Sequence, residues 1–545
     1  MANGDELNRA TMPRFRYHLP RLVSLFVSRP LLVVALIAAI VSVVSFFYLF
    51  SNGMTNVYGD GVAHVNIARK VVDSPDSSLW QRYIQIGSPW LPLQTVLMLP
   101  LVANDWMWRT GAAGSVISMI SLIVAAVFLY LFAKIFYRGE DGIAKKALPA
   151  VSVGILLFNP SVLYLQSTPM SELLFMAALA AAVYTLQRWL DDQTLKRLAL
   201  GALIMTVAAL ARYEAWAVAA LSVPLVTLTT NGNWPTKLKS GAIYSALVTI
   251  GPIYWLWHNW AIYGNAFEFL TGPNSARGLY LQNRANLGWS ALFVGHPALD
   301  VLTIATAAAV CAGPFALLLG FAGFVSWLLK RKRTTSLQWP VLLLIVPFFF
   351  HVLSLYRGEI QIFPLSAFGL LNVRYGLPHL VGLALFAPAV VTLFKGKAMR
   401  WAIVGVCSII VLQYGYLISD GMSQLAVYQE GYRNGVNSKP ARERAQVATF
   451  LRDNPPSRMT LMYTGALGPV VSQGGMSFSK IIHEGTARWY QLVDGIPEDI
   501  NTVIVQQGDP LDLRLTASAT LSSDLASRFQ EQLSVGNIRV LARKN

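Results

Sequence analysis

With 545 residues, of which 54% are hydrophobic and 13% charged, against roughly 25% charged in soluble domains, the composition excludes a soluble enzyme and indicates a polytopic membrane protein. The formal net charge of +16 follows from membrane topology and contact with anionic headgroups, without invoking nucleic acid. The two cysteines, Cys311 and Cys407, both fall in apolar runs and imply no disulfide framework or metal cluster.

Residues 1–30 form a basic, cytosolic N-terminus. The first apolar run, 31–50, is too long for a signal-peptide core and lacks a small-x-small cleavage site, so it is expected to be a retained signal anchor. Since about 20 apolar residues cross a hydrocarbon core of about 30 Å, about eleven transmembrane helices are expected. They cover 31–50, 110–133, 147–166, 171–187, 198–212, 215–230, 241–262, 301–328, 339–355, 376–394 and 401–419, the 198–212 run being short. Basic clusters fall in every second loop: Arg14, Arg16, Arg21 and Arg29, then Lys134 to Lys146, Arg188 to Arg197, Lys237 and Lys239, Lys330 to Arg333, and Lys395 to Arg400. Parity and charge therefore agree on an N-in/C-out chain, with the long loops 51–109 and 263–300 and the ionisable loop 356–375 outside. Long loops tend to be functional, so chemistry is expected on the outer side.

The first external loop opens with VYGDGVAH, Val57 to His64. In GVAHVNIARKVVDS, Val62, Val65 and Val72 recur at near-helical spacing around Arg69 and Lys70, which suits a helix lying along the interface. LPLQTVLMLPLV is too short to span and is expected to be broken by Pro92 and Pro100. Asp60 has two readings. It is either the N-cap of the interfacial helix, or a general base at the water–lipid boundary, with Gly59 and Gly61 letting substrate approach the backbone. His64, one turn on, is a candidate bridge from Asp60 to substrate, or simply a surface histidine.

Glu172, in STPMSELLF, is either a first-turn acid facing a helix dipole or a functional acid near membrane depth. Arg212 and Glu214, in ALARYEAW, are expected to satisfy each other. Arg277, Arg284, Arg357 and Arg374 lie outside, against the positive-inside trend, and are candidate phosphate ligands because guanidinium forks bind phosphate oxygens in pairs. Among them Arg374 opens a span beside Tyr375. His258 and His351 sit in apolar sequence and are read as packed or hydrogen-bonded structural groups.

From about Gly421 the tail, 421–545, reads as a separate small α/β domain of parallel or mixed strands, with no glycine-rich nucleotide loop. Helices are expected in ERAQVATFLRD, ARWYQLVDG and SSDLASRFQEQL. Strands are expected in RMTLMYTG, SKIIHEG, NTVIVQQGD and NIRVLARK. No internal repeat is visible, which disfavours transporters built from duplicated halves.

The signal anchor, the YGDG turn opening the first external loop, the NP…SE element two spans later, WHNWAIYGNAFEF, NVRYGLP and the external tail together resemble the GT-C glycosyltransferases. Within that superfamily the chain is similar to the protein O-mannosyltransferase and aminoarabinose transferase branch. The resemblance covers about residues 31–400 as topology, through short motifs. It implies a membrane enzyme of residues 31–420 that uses a polyprenyl-phosphate sugar donor, and an acceptor hydroxyl of a glycan, lipid or protein, on the outer face of a plasma membrane. The family's first-loop acid, catalytic or acceptor-activating, matches Asp60, with Tyr58 in the same turn. Many members carry two adjacent acids there. This chain has GDG, so a second acid would be Glu172 or Glu214 or be absent, and no cofactor is assigned although a divalent metal is compatible. The absence of an N-x-Ser/Thr sequon favours a prokaryotic membrane. The alternatives are a lipid-linked sugar flippase, expected to carry ionisable groups through the depth of its bundle, and an O-antigen-type ligase or polymerase.

Overall fold

The computed structural model describes residues 29–140, 142–284, 293–331, 338–362, 371–492 and 495–544. Arg14, Arg16, Arg21, Lys332 and Arg333 lie outside the described residues. The chain is mostly helical. Among the described residues six helices are long and apolar enough to cross a membrane: Pro30–Ser51, Ala112–Phe136, Glu172–Asp192, Trp339–Tyr356, Val373–Leu393 and the stretch Gly396–Asn437. Several turn large apolar side chains outward, including Ile40, Val44 and Phe47 on the first and Trp401, Val411 and Leu412 on the last. That is the surface a lipid solvent requires, with backbone hydrogen bonds closed inside each helix.

The other expected spans are shorter or interrupted helices. Leu195–Ala211 and Glu214–Thr229 fill two of them, and Trp234–Val248 and Ile250–Tyr263 divide the 241–262 run. The 301–328 run is not one straight span. Pro297–Ala312 and the helix from Pro314 meet at an angle of 112°, because Pro314 has no N–H with which to continue the helical ladder. The 147–166 run also breaks, at Asn159: its side chain accepts from the Val162 amide (3.1 Å) and Pro160 opens a new helix, Pro160–Leu165.

In the first loop, Gly59–Val72 is a helix, as its spacing suggests. LPLQTVLMLPLV departs from expectation. Pro92 stands just before the helix Leu93–Val102 and Pro100 inside its last turn, so neither breaks it.

Five strands, β1 (Met459–Met462), β2 (Ile481–Ile482), β3 (Ile500–Gln506), β4 (Phe529–Val535) and β5 (Ile538–Arg543), form one mixed sheet in the order β2-β1-β3-β5-β4. β2, β1 and β3 run parallel, whereas β5 pairs antiparallel with both β3 and β4. The helix expected over SSDLASRFQEQL is only half right: Ala519–Arg528 is helical, but Phe529–Val535 turns into β4. The reason is the two-residue turn Gly536-Asn537, which sets Val535 opposite Ile538 and draws the preceding residues into a hairpin. Helices Thr464–Gln473 and Pro510–Ala517, which periodicity did not suggest, complete the layer.

Candidate active site

The Gly59–Val72 helix begins two residues earlier than a capping role for Asp60 needs. Tyr58 is the N-cap, and Asp60 lies inside the first turn. Its carboxylate is free of capping duty, and 35% of the side chain remains exposed. Asp60 Oδ2 accepts instead from Nη2 of Arg374. Gly61 serves packing, since a Cβ there would stand 3.2 Å from the Pro169 ring, while Gly59 faces open space.

Arg374 lies in the NVRYGLP turn and is buried. Gly376 lets that turn cross the Pro297–Ala312 helix: a Cβ would stand 2.0 Å from the Ala307 carbonyl oxygen. The guanidinium serves two acids at once, Asp60 through Nη2 and Glu172 Oε1 through Nε at 3.0 Å. It lies over the rings of Tyr58 and Tyr375, 5.2 and 5.4 Å from their centroids, within cation–π range. Nη1 also donates to Asn372 Oδ1.

Glu172 opens its helix from a buried, irregular turn, 166–171. Buried backbone without regular partners is costly, and hydroxyls from the Ala112–Phe136 helix satisfy it here. Ser115 donates to the Ser167 carbonyl (2.9 Å), and Ser118 to those of Thr168 (3.0 Å) and Met170 (2.9 Å). The same Oε1 of Glu172 accepts from Arg212 Nη1 at 2.8 Å, and its Oε2 has no hydrogen-bond partner among the described residues. Arg212 extends the chain of charge to Glu214 (2.8 Å), which also accepts from His351 Nε2 (2.8 Å). Arg212 and Glu214 thus satisfy each other, as expected, and additionally join Glu172 and His351 to the network.

Sequence reasoning missed Glu430. It lies in the helix Ala426–Tyr432, beyond the last expected span, and is buried. Its two oxygens accept from the backbone amides of Asn372 (2.6 Å) and Val373 (3.1 Å), and Oε1 stands 4.0 Å from Arg374 Nη1. Asn372 has φ +56°, so Glu430 holds the Arg374 turn in a left-handed conformation. The only local signal was an acid in an aromatic and glycine setting, YQEGY.

His64 is not at the surface. It is buried with its ring 5.0 Å from that of Trp90, and Nδ1 has no hydrogen-bond partner among the described residues. Burial holds its imidazole down at about 4, against the opposing pull of Asp60 and Glu172. His258 is a packed, hydrogen-bonded group: Nδ1 meets the Tyr83 hydroxyl at 2.6 Å and Nε2 the Gly87 carbonyl at 2.9 Å.

The structure therefore gathers Asp60, Tyr58, Glu172, Glu214, Arg374 and Tyr375 into one network, and leaves three arginines apart from it. Arg277, Arg284 and Arg357 are exposed. Arg357 pairs with Glu359 at 2.6 Å. Burial raises the Glu359 carboxyl, and Arg357 and then Arg277 pull it back, so these three share one patch. Guanidinium, imidazole or amide donors hold each acid of the network, in Glu172 through one oxygen only. No group of three or more His, Cys, Asp or Glu side chains among the described residues could hold a metal ion.

No family model matches the chain, and no curated protein matches its sequence. Solved structures do share its fold. The crystal structure of ArnT from Cupriavidus metallidurans bound to undecaprenyl phosphate is 12% identical, covers 94% of this chain and 97% of that chain, and superposes with a TM-score of 0.52. The apo state of the same protein is 13% identical, with 96% and 98% covered and a TM-score of 0.51. The oligosaccharyltransferase AglB from Archaeoglobus fulgidus, in complex with an inhibitory peptide and a dolichol-phosphate, is 13% identical over 92% of this chain and 71% of that one, with a TM-score of 0.46. The ArnT superpositions extend over almost the whole of both chains, so this protein shares the fold of ArnT.

Proposed function

We propose that the protein is an inverting glycosyltransferase that moves a sugar from a polyprenyl-phosphate donor to an acceptor hydroxyl of a protein, lipid or glycan on the outer face of a membrane. The observation that carries this reading is the pairing of Asp60, partly exposed at the start of an extramembrane helix, with the buried guanidinium of Arg374. An acid that can take a proton and a cation that can take a phosphate stand side by side. The undecaprenyl phosphate bound to ArnT, on the same fold, supports a lipid-linked donor. The setting consistent with the basic loops is a prokaryotic plasma membrane crossed about eleven times, with the N-terminus inside and the sheet-bearing tail outside.

In the empty site Arg374 and Asp60 neutralise each other. A donor phosphate competes for the same guanidinium, which loosens its hold on Asp60 and leaves the carboxylate open to the acceptor hydroxyl. Asp60 then removes the acceptor hydroxyl proton while the oxygen forms a bond to the anomeric carbon. The bond from that carbon to the phosphate oxygen breaks on the opposite face, its electron pair leaves with polyprenyl phosphate, and Arg374 meets the growing charge. Glu172 and Glu214 keep Arg374 and Arg212 in place. The exposed Arg277, Arg284 and Arg357 are proposed to meet the anionic headgroup before it reaches Arg374.

The test is transfer by purified, reconstituted protein from a panel of polyprenyl-phosphate sugars, with the anomeric configuration of the product determined. Release of free polyprenyl phosphate with an inverted linkage is expected. Movement of intact donor across the bilayer, with the sugar–phosphate bond unbroken, would replace this reading with a flippase.

A further inference from the structure

The Gly59–Val72 helix carries Asp60 at one end, and its other end is built into the sheet-bearing tail. Lys70 Nζ donates to Thr464 Oγ1 at 2.6 Å and to Glu484 Oε1 at 3.3 Å. Glu484 is fixed in turn by the Thr464 hydroxyl (2.6 Å) and the Thr464 amide (2.9 Å). One turn on, Asp73 accepts from the Ser477 hydroxyl (2.7 Å) and the Phe478 amide (3.0 Å). The helix's apolar face belongs to the same core: Val65 and Ala68 pack in one cluster with Leu467, Val470, Phe478 and Ile481 from the tail.

We propose that Lys70 and Glu484 are positioning residues, and that the tail acts as a clamp setting the pose of the helix that presents Asp60 to Arg374. The physical argument is leverage. A helix of 14 residues is a stiff rod about 21 Å long. Its Asp60 end packs through Gly61 on Pro169 and His64 on Trp90 and carries the Asp60–Arg374 pair, while its far end is tied to the tail by Asp73 and by the Lys70 ammonium shared between a hydroxyl and a carboxylate. Burial works to raise the Glu484 carboxyl, but the Lys70 ammonium, His483 and the Thr464 donors outweigh it and hold it down at about 2, so the clamp stays charged at working pH. Loss of the charge at Lys70 removes the ionic tie between helix and tail and leaves Asp73 and the apolar face to hold that end, so the helix loosens and Asp60 shifts with it.

The proposal rests on the transferase reading for its kinetic arm only. In the full-length protein, Lys70→Met is expected to lower kcat about tenfold with donor KM unchanged, because a small misplacement of a catalytic group weighs on chemistry more than on binding. Lys70→Arg, which keeps the charge, is expected to restore wild-type rates. The second arm needs no activity: hydrogen exchange of the amides in residues 59–64 is expected to quicken about tenfold in Lys70→Met and in Glu484→Gln, and not in Lys70→Arg. Quickening confined to residues 67–73 would overturn the clamp, as it would mark a purely local contact. If Lys70→Met does not fold, Thr464→Val removes a hydroxyl from the same cluster and carries the same expectations. A wild-type protein that transfers no sugar would sink the transferase reading while the exchange arm still decides the clamp.

Discussion

Asp60 and Arg374 share a hydrogen bond across 314 positions of sequence. This contact joins the Gly59–Val72 helix to the turn that opens the apolar Val373–Leu393 stretch, and Arg374 carries it inward to Glu172. Acid, guanidinium and acid thus form one continuous line from a solvent-facing carboxylate to a fully buried one. Only the Asp60 carboxylate is open to water; Arg374 and Glu172 behind it are buried. The outer end is therefore the part that can change partner when an anion binds.

Asp60→Asn keeps the shape of the side chain and removes its ability to take a proton. Transfer is expected to fall by about 10²- to 10⁴-fold, with donor KM no higher than wild type, since the neutral amide competes less with phosphate for Arg374, and with the fold kept, since Glu172 still pairs that guanidinium and the side chain does not cap its helix. The check is kcat and donor KM measured side by side with a melting curve. Transfer at the wild-type rate would show that the proton goes elsewhere.

Arg374→Lys retains the charge and loses the fork. A single ammonium cannot reach both Asp60 and Glu172 from the positions that Nη2 and Nε occupy. Loss of one phosphate-facing donor is expected to cost about 10²-fold in kcat. Arg374→Ala is expected to be far worse for folding, by about 3–5 kcal/mol, since it strips a partner from the buried Glu172. Denaturation midpoints in detergent check the order Lys above Ala. An alanine variant as stable as wild type would mean that Arg212 alone satisfies Glu172.

Glu430→Gln leaves one carbonyl oxygen where two carboxylate oxygens held the Asn372 and Val373 amides. One of those buried N–H groups then loses its acceptor, at a cost of about 1–3 kcal/mol. Because Glu430 acts on Arg374 through the backbone, its kinetic effect is expected to be non-additive with Arg374→Lys. A double-mutant cycle on kcat checks this, and strict additivity would deny it a positioning role.

These residues also show what a sequence can disclose. Asp60 was visible because glycines isolate it at the edge of an apolar run, and Arg374 because the pattern of basic loops assigns it to the side where few arginines are expected. Glu172 and Glu214 were visible as acids interrupting hydrophobic segments. Glu430 was not, since it follows the last expected span and only tertiary packing brings it beneath Asn372. The bend at Pro314 was legible in principle, but hydropathy sums over 301–328 without regard to the missing N–H. Strand β4 was lost for a similar reason. SSDLASRFQEQL has helical periodicity, and the hairpin turn that overrides it lies just beyond. Arg277 and Arg357 were expected to converge with Arg374. They converge on Glu359 instead, a partner set by loop packing rather than by any local pattern.

The buried histidines set the expected response to acid. His64 is held down at about 4, first by burial, while in the unfolded chain it titrates near its ordinary value of about 6.5. Below that ordinary value the unfolded state binds a proton that the folded state refuses. Stability is therefore complete above about pH 6.5 and declines as pH falls toward 4, where the folded form begins to accept the proton too. His483, held down at about 3 by burial and by Lys70, adds a slope of the same sign reaching slightly lower. His64→Gln, which carries no charge at any pH, is expected to flatten part of the decline between pH 6.5 and 4, and a further His483→Gln to flatten more of it. Thermal midpoints of the wild type and both variants across that window check the claim. A wild-type midpoint that rose on acidification through this range would show that His64 is reached by water in the folded protein.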